Sequence, residues 1–352
     1  MDGATRADAV LEKRRPLISI ICPVFNEEDN VANLHAEVSR VFENAVPDYD
    51  HELIFTDNHS TDDTFGRLSQ IAEKDPRVRV ARFARNFGFH KSVMTGYRLA
   101  SGDAAIQIDC DLQDPPDLFV EFLQHWEDGH DAVVGVRRNR DEPKVLQTMR
   151  NAFYHLMNKL AGDSMLVGGG DFRLIDRSIL DQLRWIDDVQ PYTRGLTSSL
   201  ARRQIGVPFD RKARQHGESK YPLRRLFGLA AEGVLAHSIL PLRIASFVGL
   251  LIAVATVLLT GGYLIGGIFF GSEWPSGFST LVVLTLFGIG LNAIFLGVIG
   301  EYVGRLYLQM QKRPMTIIEQ TANFPSGVSE HSIKAAPKTS ASEQIETESE
   351  LS

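Results

Sequence analysis

Two aspartates, two residues apart, carry the clearest chemical signal in the chain. Asp109 and Asp111 lie in the run QIDCDLQDPP at positions 107–116, directly after an apolar segment. In an extended chain, residues two apart project to the same side, so their carboxylates would repel each other. A hard cation such as Mg²⁺ or Mn²⁺ relieves this repulsion and keeps coordination positions open for substrate phosphates. The spacing therefore predicts a metal site that binds a phosphorylated ligand.

Polar side chains also follow two earlier apolar segments. The sequence reads PVFNEE at positions 23–28 and DNHSTDDT at positions 57–64. Carboxylate and amide groups at strand ends can hydrogen-bond the base and ribose of a nucleotide, although each cluster alone is equally typical of turns and caps. Neither has the glycine spacing of a dinucleotide-binding turn or a P-loop, which disfavours a dehydrogenase or a P-loop ATPase.

Five apolar, β-branched segments alternate with segments of helical periodicity. They lie at residues 17–22, 52–56, 78–83, 104–108 and 132–136. This alternation predicts an α/β fold with a mainly parallel sheet covered by helices. The first helix, with Asp29 or Asn30 as its N-cap, is predicted from a stripe of 3.6-residue period. The stripe consists of Val31, Leu34, Val38, Val41 and Phe42. Since ligands bind at the carboxyl ends of parallel strands, the polar clusters stand where a site is expected.

Two long uncharged segments, 244–270 and 279–300, follow the soluble part of the sequence. A helix needs about 20 apolar residues to cross a bilayer, so we predict an integral membrane protein with a transmembrane hairpin. Basic residues flank both segments, whereas the connector 271–278 has none. By the positive-inside rule, the soluble domain and both termini are expected in the cytoplasm. Residues 1–16 agree, because they are charged and lack the apolar core of a signal peptide.

The sequence thus predicts a soluble domain, a membrane hairpin and flanking segments. The predicted parts are an N-terminal extension at 1–16, the soluble domain at 17–220, an interfacial amphipathic helix at 221–242, the hairpin at 243–310 and a disordered tail at 325–352. A domain-packing helix is the alternative for 221–242. No nucleic-acid partner is expected, the net charge is −7, and the two cysteines cannot form a disulfide framework.

The motifs at 23–27, 57–64 and 109–113, together with the two trailing apolar segments, resemble the inverting family 2 glycosyltransferases. More narrowly, the chain resembles the polyprenyl-phosphate hexose synthases of the bactoprenol glucosyltransferase and dolichol-phosphate mannose synthase type, from about Leu17 to Arg313. The resemblance implies a GT-A nucleotide-sugar-binding fold. It also implies transfer of one hexose from a nucleotide sugar, with a UDP-hexose favoured, to a polyprenyl phosphate in a bacterial inner membrane. The resemblance is compatible with a homo-oligomer, and the sequence leaves the oligomeric state open.

The resemblance further implies roles for individual residues. For nucleotide-sugar binding these are Pro23, Asn26, Glu27, Asp57, Asn86, Lys91 and Asp109. The metal ion, Mg²⁺ or Mn²⁺, would lie among Asp109, Asp111 and Gln113. The acceptor phosphate would lie beside Arg137, Arg150 and Lys220. The catalytic set is Asp109, Asp111 and Asp171.

Asp171 is the position that the family offers as a general base, and its role stays open. It lies in the run GGGDFR at 168–173, where it could equally orient a sugar hydroxyl or Arg173. A lipid phosphate monoester has its second pKa near 6 and is substantially dianionic in the cytoplasm, so a strong base is optional for its attack.

The chain departs from the family in the second polar cluster. The family's Asp-Asp-Gly-Ser is replaced by DNHS at residues 57–60, with His59 in the glycine position. Two other functions remain open from the sequence. One is transfer to another lipid such as diacylglycerol, whose hydroxyl would need a true base. The other is a non-catalytic membrane protein that binds sugar nucleotides.

Overall fold

The computed structural model describes residues 14–138, 166, 169–189, 191–210, 277–311 and 313–324, with single positions and short runs between 242 and 269. The chain divides into two compact units. The first contains all of the described strands, and the second contains the described residues between 219 and 313. Arg150, Lys220, positions 221–241 of the predicted interfacial helix and the tail 325–352 lie outside the described residues.

An eight-stranded sheet organises the first unit. Its strands are β1 Leu17–Val24, β2 Asp50–Asp57, β3 Val78–Phe83, β4 Ala104–Gln107, β5 Ala132–Arg137, β6 Gly169–Asp176, β7 Gln204–Phe209 and β8 Ile318–Ala322. Their spatial order is β7-β5-β6-β4-β1-β2-β3-β8. β1 pairs in parallel with β2 and β4, as do β2 with β3 and β5 with β7, whereas β6 and β8 run antiparallel to their neighbours. The predicted α/β fold with a mainly parallel sheet is confirmed.

Six α-helices accompany this sheet in the described part of the first unit. They are α1 Val31–Asn44, α2 Thr64–Lys74, α3 Phe89–Leu99, α4 Phe119–Glu127, α5 Arg177–Trp185 and α6 Thr193–Leu200. Alternate residues of β1 enter two separate cores: Ile20 packs with the buried stripe of α1, and Ile21 packs with α3. This alternation reflects the period of two along a strand. Every residue of the predicted α1 stripe is buried. Asn30 stands at the N-cap position, but its side chain donates to Glu27 and forms no cap hydrogen bond.

A single long helix, α7 Phe278–Met310, contains the second predicted membrane segment. Among the described residues, one stretch is long and apolar enough to cross a membrane, Phe287–Met310, with a mean hydropathy of 1.5. Its large apolar side chains, such as Phe287, Ile289 and Leu296, are exposed. Described positions from 245 to 269 in the first predicted segment are also helical. The paired crossing and its orientation stay predictions.

The strand β8 was not predicted, and it belongs to a segment, 314–324, that is fixed to the sheet. β8 pairs antiparallel with β3 at the edge of the sheet. Before it, Met315 is buried in the core that contains Ile21. After it, Asn323 donates side-chain hydrogen bonds to the carbonyls of Ala72 (2.6 Å) and Val78 (2.8 Å). The segment after α7 is therefore an integral part of the first unit.

His51 on β2 gives a test of this core by pH. Its ring stacks on Phe42 with centroids 4.2 Å apart, and burial, assisted by the charge of Arg77, lowers its pKa to about 4. The unfolded histidine binds a proton below about pH 6.5, so stability should fall as the pH drops from there toward 4. The test is urea unfolding of the detergent-solubilised chain, with His51→Phe as the variant because phenylalanine keeps an aromatic ring but does not titrate. Between pH 7 and 4.5 we expect the free energy of unfolding to fall by roughly 2–3 kcal/mol more in wild type than in His51→Phe. Equal losses would contradict the assignment.

Candidate functional site

The polar clusters meet at the carboxyl edge of the central strands. Val24, the last residue of β1, lies opposite Asp57, the last residue of β2, and Pro23 lies opposite Thr56. On the other side of β1, the amide of Ile108 donates to the carbonyl of Ile21 (3.0 Å), so the chain after β4 continues along this edge. The ends of three adjacent parallel strands, β4, β1 and β2, thus place the polar runs 107–116, 23–28 and 57–64 beside one another, as the sequence predicted.

Several carboxylates converge where β4 ends. Burial raises the pKa of Asp109 to about 7, and repulsion from Asp171, Asp114 and Asp111 adds to this, while the positive charge of Arg137 opposes it. Asp171 comes from β6, whose Arg173 is paired with Gln107 of β4, so the antiparallel register carries Asp171 toward Asp109. A raised pKa among like charges indicates a site that would be stabilised by a bound cation.

The side chains around Asp109 include oxygen donors of the kind that a hard divalent metal ion prefers. The Oδ1 atom of Asp111 accepts a hydrogen bond from the backbone amide of Gln113 (3.2 Å), which holds this carboxylate beside its own loop. Gln113 itself is buried. In the part of the chain that the structure describes, no three His, Cys, Asp or Glu side chains are grouped to share a metal ion. One or two carboxylates combined with substrate phosphates are the usual ligands of Mg²⁺ at such sites.

Asp57, the last residue of β2, has one carboxylate oxygen that accepts no hydrogen bond from the described residues. Its side chain is fully buried, and Oδ1 accepts hydrogen bonds from the amide (2.9 Å) and hydroxyl (2.5 Å) of Ser60. Its Oδ2 atom has no hydrogen-bond partner among the described residues and lies 3.9 Å from Nε of Arg82. Because a buried acceptor without a partner is costly, this oxygen is suited to accept an N–H of a bound nucleotide base.

Three other predicted ligand residues shape the loops in this structure. The Oδ1 atom of Asn26 accepts from the amide of Thr61 (2.8 Å) and so joins the first two polar clusters. The carboxylate of Glu27 accepts from Asn30 (2.6 Å). The Oδ1 atom of Asn86 accepts from the amide of Gly88 (2.9 Å), just before α3. Lys91 lies in the first turn of α3. Their contacts to a ligand stay predictions.

Asp171 is paired with an arginine that the sequence did not single out. Nε of Arg194, on α6, donates to Oδ1 of Asp171 (2.7 Å), and a second guanidinium nitrogen donates to Oδ2. Burial by itself would raise the pKa of Asp171, but the charge and hydrogen bonds of Arg194 outweigh it, so the pKa is lowered. Arg173 instead donates to the carbonyl of Gly170 (2.7 Å) and to Thr197. Asp171 is therefore an ionised, oriented carboxylate that accepts a proton poorly.

One of the predicted acceptor-side arginines lies in the described part of the site. Arg137 ends β5, and its guanidinium lies 3.6 Å from Oδ2 of the buried Asp114. The Arg137 side chain retains 18% exposure, so it can meet a ligand while Asp114 holds it. Arg150 and Lys220 lie outside the described residues.

The comparisons with known proteins agree with the sequence motifs. Residues 19–184 match glycosyl transferase family 2. The chain is 34% identical to the uncharacterized glycosyltransferase YkcC of Bacillus subtilis (strain 168), over 86% of this chain and 93% of that one. It is 33% identical to the SfII prophage-derived bactoprenol glucosyl transferase of Shigella flexneri, over 86% of this chain and 98% of that one.

Among solved structures, the chain is similar to glucosyl-3-phosphoglycerate synthase from Mycobacterium tuberculosis in complex with Mn²⁺, UDP-glucose and phosphoglyceric acid. The TM-score is 0.43 and the identity 21%, over 62% of this chain and 78% of that one. The identities to YkcC and to the bactoprenol enzyme extend over most of all three chains, and they confirm the resemblance seen in the motifs. The chain therefore belongs to the family 2 glycosyltransferases.

Proposed function

We propose that this glycosyltransferase transfers one hexose from a nucleotide sugar, with a UDP-hexose favoured, to a membrane polyprenyl phosphate, with inversion at the anomeric carbon. The acidic cluster of Asp109 and Asp111 at the carboxyl edge of β4 carries the proposal. The similarity to bactoprenol glucosyl transferases over 86% of the chain supports the lipid phosphate acceptor. The apolar helix α7 supports a membrane location. The basic residues that flank both apolar segments favour a cytoplasmic position for the soluble domain.

On the donor side, Asp109 and Asp111 would hold Mg²⁺ or Mn²⁺ against the diphosphate, with Gln113 beside them. When bound, such an ion neutralises the diphosphate and stabilises it as a leaving group. The Oδ2 atom of Asp57, which has no hydrogen-bond partner among the described residues, would accept an N–H of the base, which orients the nucleotide from its far end. With the donor fixed at both ends, its anomeric carbon is held for attack from one side.

On the acceptor side, the nucleophile would need little help from a base. A phosphate monoester has its second pKa near 6 and is substantially dianionic at cytoplasmic pH. Arg137 would place this dianion through the planar fork of its guanidinium. Attack from the face opposite the departing diphosphate inverts the anomeric carbon. The pairing of Asp171 with Arg194 is consistent with a carboxylate that orients groups instead of removing a proton.

Asp171→Asn distinguishes a phosphate acceptor from a hydroxyl acceptor. Since general-base catalysis contributes about 10²–10⁴-fold, loss of a true base would abolish measurable transfer. We expect Asp171→Asn to slow transfer to undecaprenyl phosphate by no more than about tenfold, because the phosphate supplies its own charged oxygen. Initial rates with radiolabelled donor measure the effect. A loss of 1,000-fold or more in the folded variant would show that Asp171 acts as a general base, and the same comparison with diacylglycerol as acceptor tests whether a hydroxyl acceptor needs it.

The proposal is tested with a donor panel. Purified full-length enzyme is incubated with radiolabelled UDP- and GDP-hexoses and undecaprenyl phosphate, with and without Mn²⁺, and diacylglycerol serves as the parallel acceptor. We expect Mn²⁺-dependent labelling of undecaprenyl phosphate from a UDP-hexose. Labelling of diacylglycerol alone would refute the acceptor, and turnover with none of the donors would indicate a non-catalytic sugar-nucleotide-binding protein.

A further inference from the structure

His59 occupies a backbone conformation that usually belongs to glycine. Its φ of 64° lies in the left-handed region. Residues with a Cβ rarely adopt this region, although histidine does so more readily than most. The His59 side chain forms a hydrogen bond, because Nδ1 lies 3.0 Å from the carbonyl oxygen of Phe83 on β3. Since a carbonyl only accepts, Nδ1 carries the proton of this hydrogen bond.

A second backbone irregularity, a β-bulge, lies on the neighbouring strand β8. In the ladder between β3 and β8, Arg82 pairs with Gln320 and Phe83 pairs with Ile318, so Glu319 is an extra residue in the strand. Such a bulge redirects a side chain, and bulges are common beside active sites. Here Oε2 of Glu319 lies 3.6 Å from Nδ1 of His59. His59, with its left-handed backbone, and Glu319, the extra residue of the bulge, are therefore in contact.

The turn 57–60 that contains His59 is held from several sides. The hydroxyl of Ser60 accepts from the amide of Asn26 (3.0 Å), and the side chain of Asn58 accepts from the amide of Phe87 (3.3 Å). The fully buried Asp57 lies at the start of the same turn. The His59–Glu319 contact adds β8 to these supports.

The segment that carries Glu319 is rigid enough to serve as a support. Just before β8, Thr316 is hydrogen-bonded to Thr95 on α3 (2.9 Å), and the carbonyl of Ile317 accepts from the amide of Ala84 (2.9 Å). After β8, Asn323 is bonded to carbonyls at the end of α2 and the start of β3. Glu319 therefore projects from a segment that is fixed on both sides of it.

We infer that His59 and Glu319 form a clasp by which the C-terminal strand β8 positions the donor-binding turn 57–60. His59 and Glu319 are positioning residues, because they act through Asp57 and do not themselves contact the reacting atoms. The inference rests on the proposed binding of a nucleotide-sugar donor beside Asp57. Its consequence is that a strand beyond the membrane helix in sequence contributes to nucleotide affinity.

The test is His59→Gly in the full-length, detergent-solubilised chain. Glycine suits the left-handed backbone, so the midpoint of thermal unfolding should stay equal or rise. UDP affinity, measured by calorimetry in the presence of Mn²⁺, should nevertheless fall at least about fivefold, the lower end of typical couplings between sites. A purely structural role for His59 would not move stability and affinity in opposite directions. Unchanged UDP affinity in His59→Gly would overturn the inference.

Glu319→Gln and the double variant complete the experiment. Glu319→Gln should weaken UDP binding, and adding it to His59→Gly should weaken binding no further, because both changes open the same contact. Gln320→Ala, on the neighbouring position of β8, is the matched control and should bind UDP as wild type does. Full additivity of the two changes would refute the clasp. Absence of UDP and GDP binding to the wild-type protein would instead refute the proposed function, and the inference with it.

Discussion

Asp109→Asn should reduce hexose transfer to polyprenyl phosphate by at least about 100-fold, because a metal ion at a departing phosphate contributes several kcal/mol of transition-state stabilisation. Asparagine keeps the size of the side chain but removes the charge that would bind the cation. The measurement is the initial rate with radiolabelled donor at saturating Mn²⁺. Transfer at the wild-type rate would show that Asp109 does not hold the metal ion.

Loss of folding is not expected to account for the effect. Burial and the neighbouring aspartates raise the pKa of Asp109 to about 7, so its ionised form is unfavourable in the metal-free protein. The neutral asparagine relieves that repulsion, and the thermal midpoint of the metal-free variant should equal or exceed that of wild type. Asp128→Asn is the matched control, because Asp128 is an exposed residue at the end of α4. Its activity should stay unchanged.

Arg194→Gln should produce the second large effect, on stability and on donor binding together. The Asp171 side chain is only 13% exposed and depends on Arg194 for its compensating charge. Removing one partner of a buried ion pair costs about 3–5 kcal/mol, so we expect the free energy of unfolding to fall by about 3 kcal/mol. The uncompensated carboxylate would also repel the donor diphosphate, and the donor KM should rise at least about tenfold.

The double variant Asp171→Asn/Arg194→Gln separates these two consequences. Replacing both members of a buried pair by neutral groups is often tolerated, so stability should return to within about 1 kcal/mol of wild type. Arg40→Gln is the control, because Arg40 forms exposed ion pairs with Glu37 and Asp117 that are worth little. If Arg194→Gln alone leaves both the unfolding free energy and the donor KM unchanged, the pairing of Asp171 with Arg194 has no functional importance.

The first five strands were predictable because each is an apolar, β-branched run in the buried centre or flank of the sheet. Each predicted segment coincides with an observed strand to within two residues at either end. The other three carry weaker signals. β6 begins with two glycines and contains Asp171 and Arg173, β7 contains a proline, and β8 reads IEQTA with a mostly exposed surface. In β6, which lies inside the sheet, the glycines and charged residues remove the apolar pattern on which such predictions depend, and β7 and β8 are edge strands with a weaker apolar pattern.

In the candidate site, too, some residues could be predicted from the sequence and others could not. Asp109 and Asp111 could be found because a spacing of two along an extended chain brings carboxylates together whatever the rest of the fold does. Arg194 gave no such signal, since it lies 23 residues from Asp171 in the sequence and reaches it only through the packing of α6 against β6. His59 was visible as a departure from the family. Its contact with Glu319, 260 residues later, depends on a strand pairing that no local pattern shows.

The most direct test of the account is whether Asp109 and Asp111 hold a divalent ion together with the donor. Electron paramagnetic resonance of Mn²⁺, titrated with the purified full-length protein, separates bound from free ion. We predict that wild type binds one equivalent of Mn²⁺ tightly when UDP is present, and that Asp109→Asn binds it at least about tenfold more weakly. Equal Mn²⁺ affinity of wild type and Asp109→Asn in the presence of UDP would contradict the account.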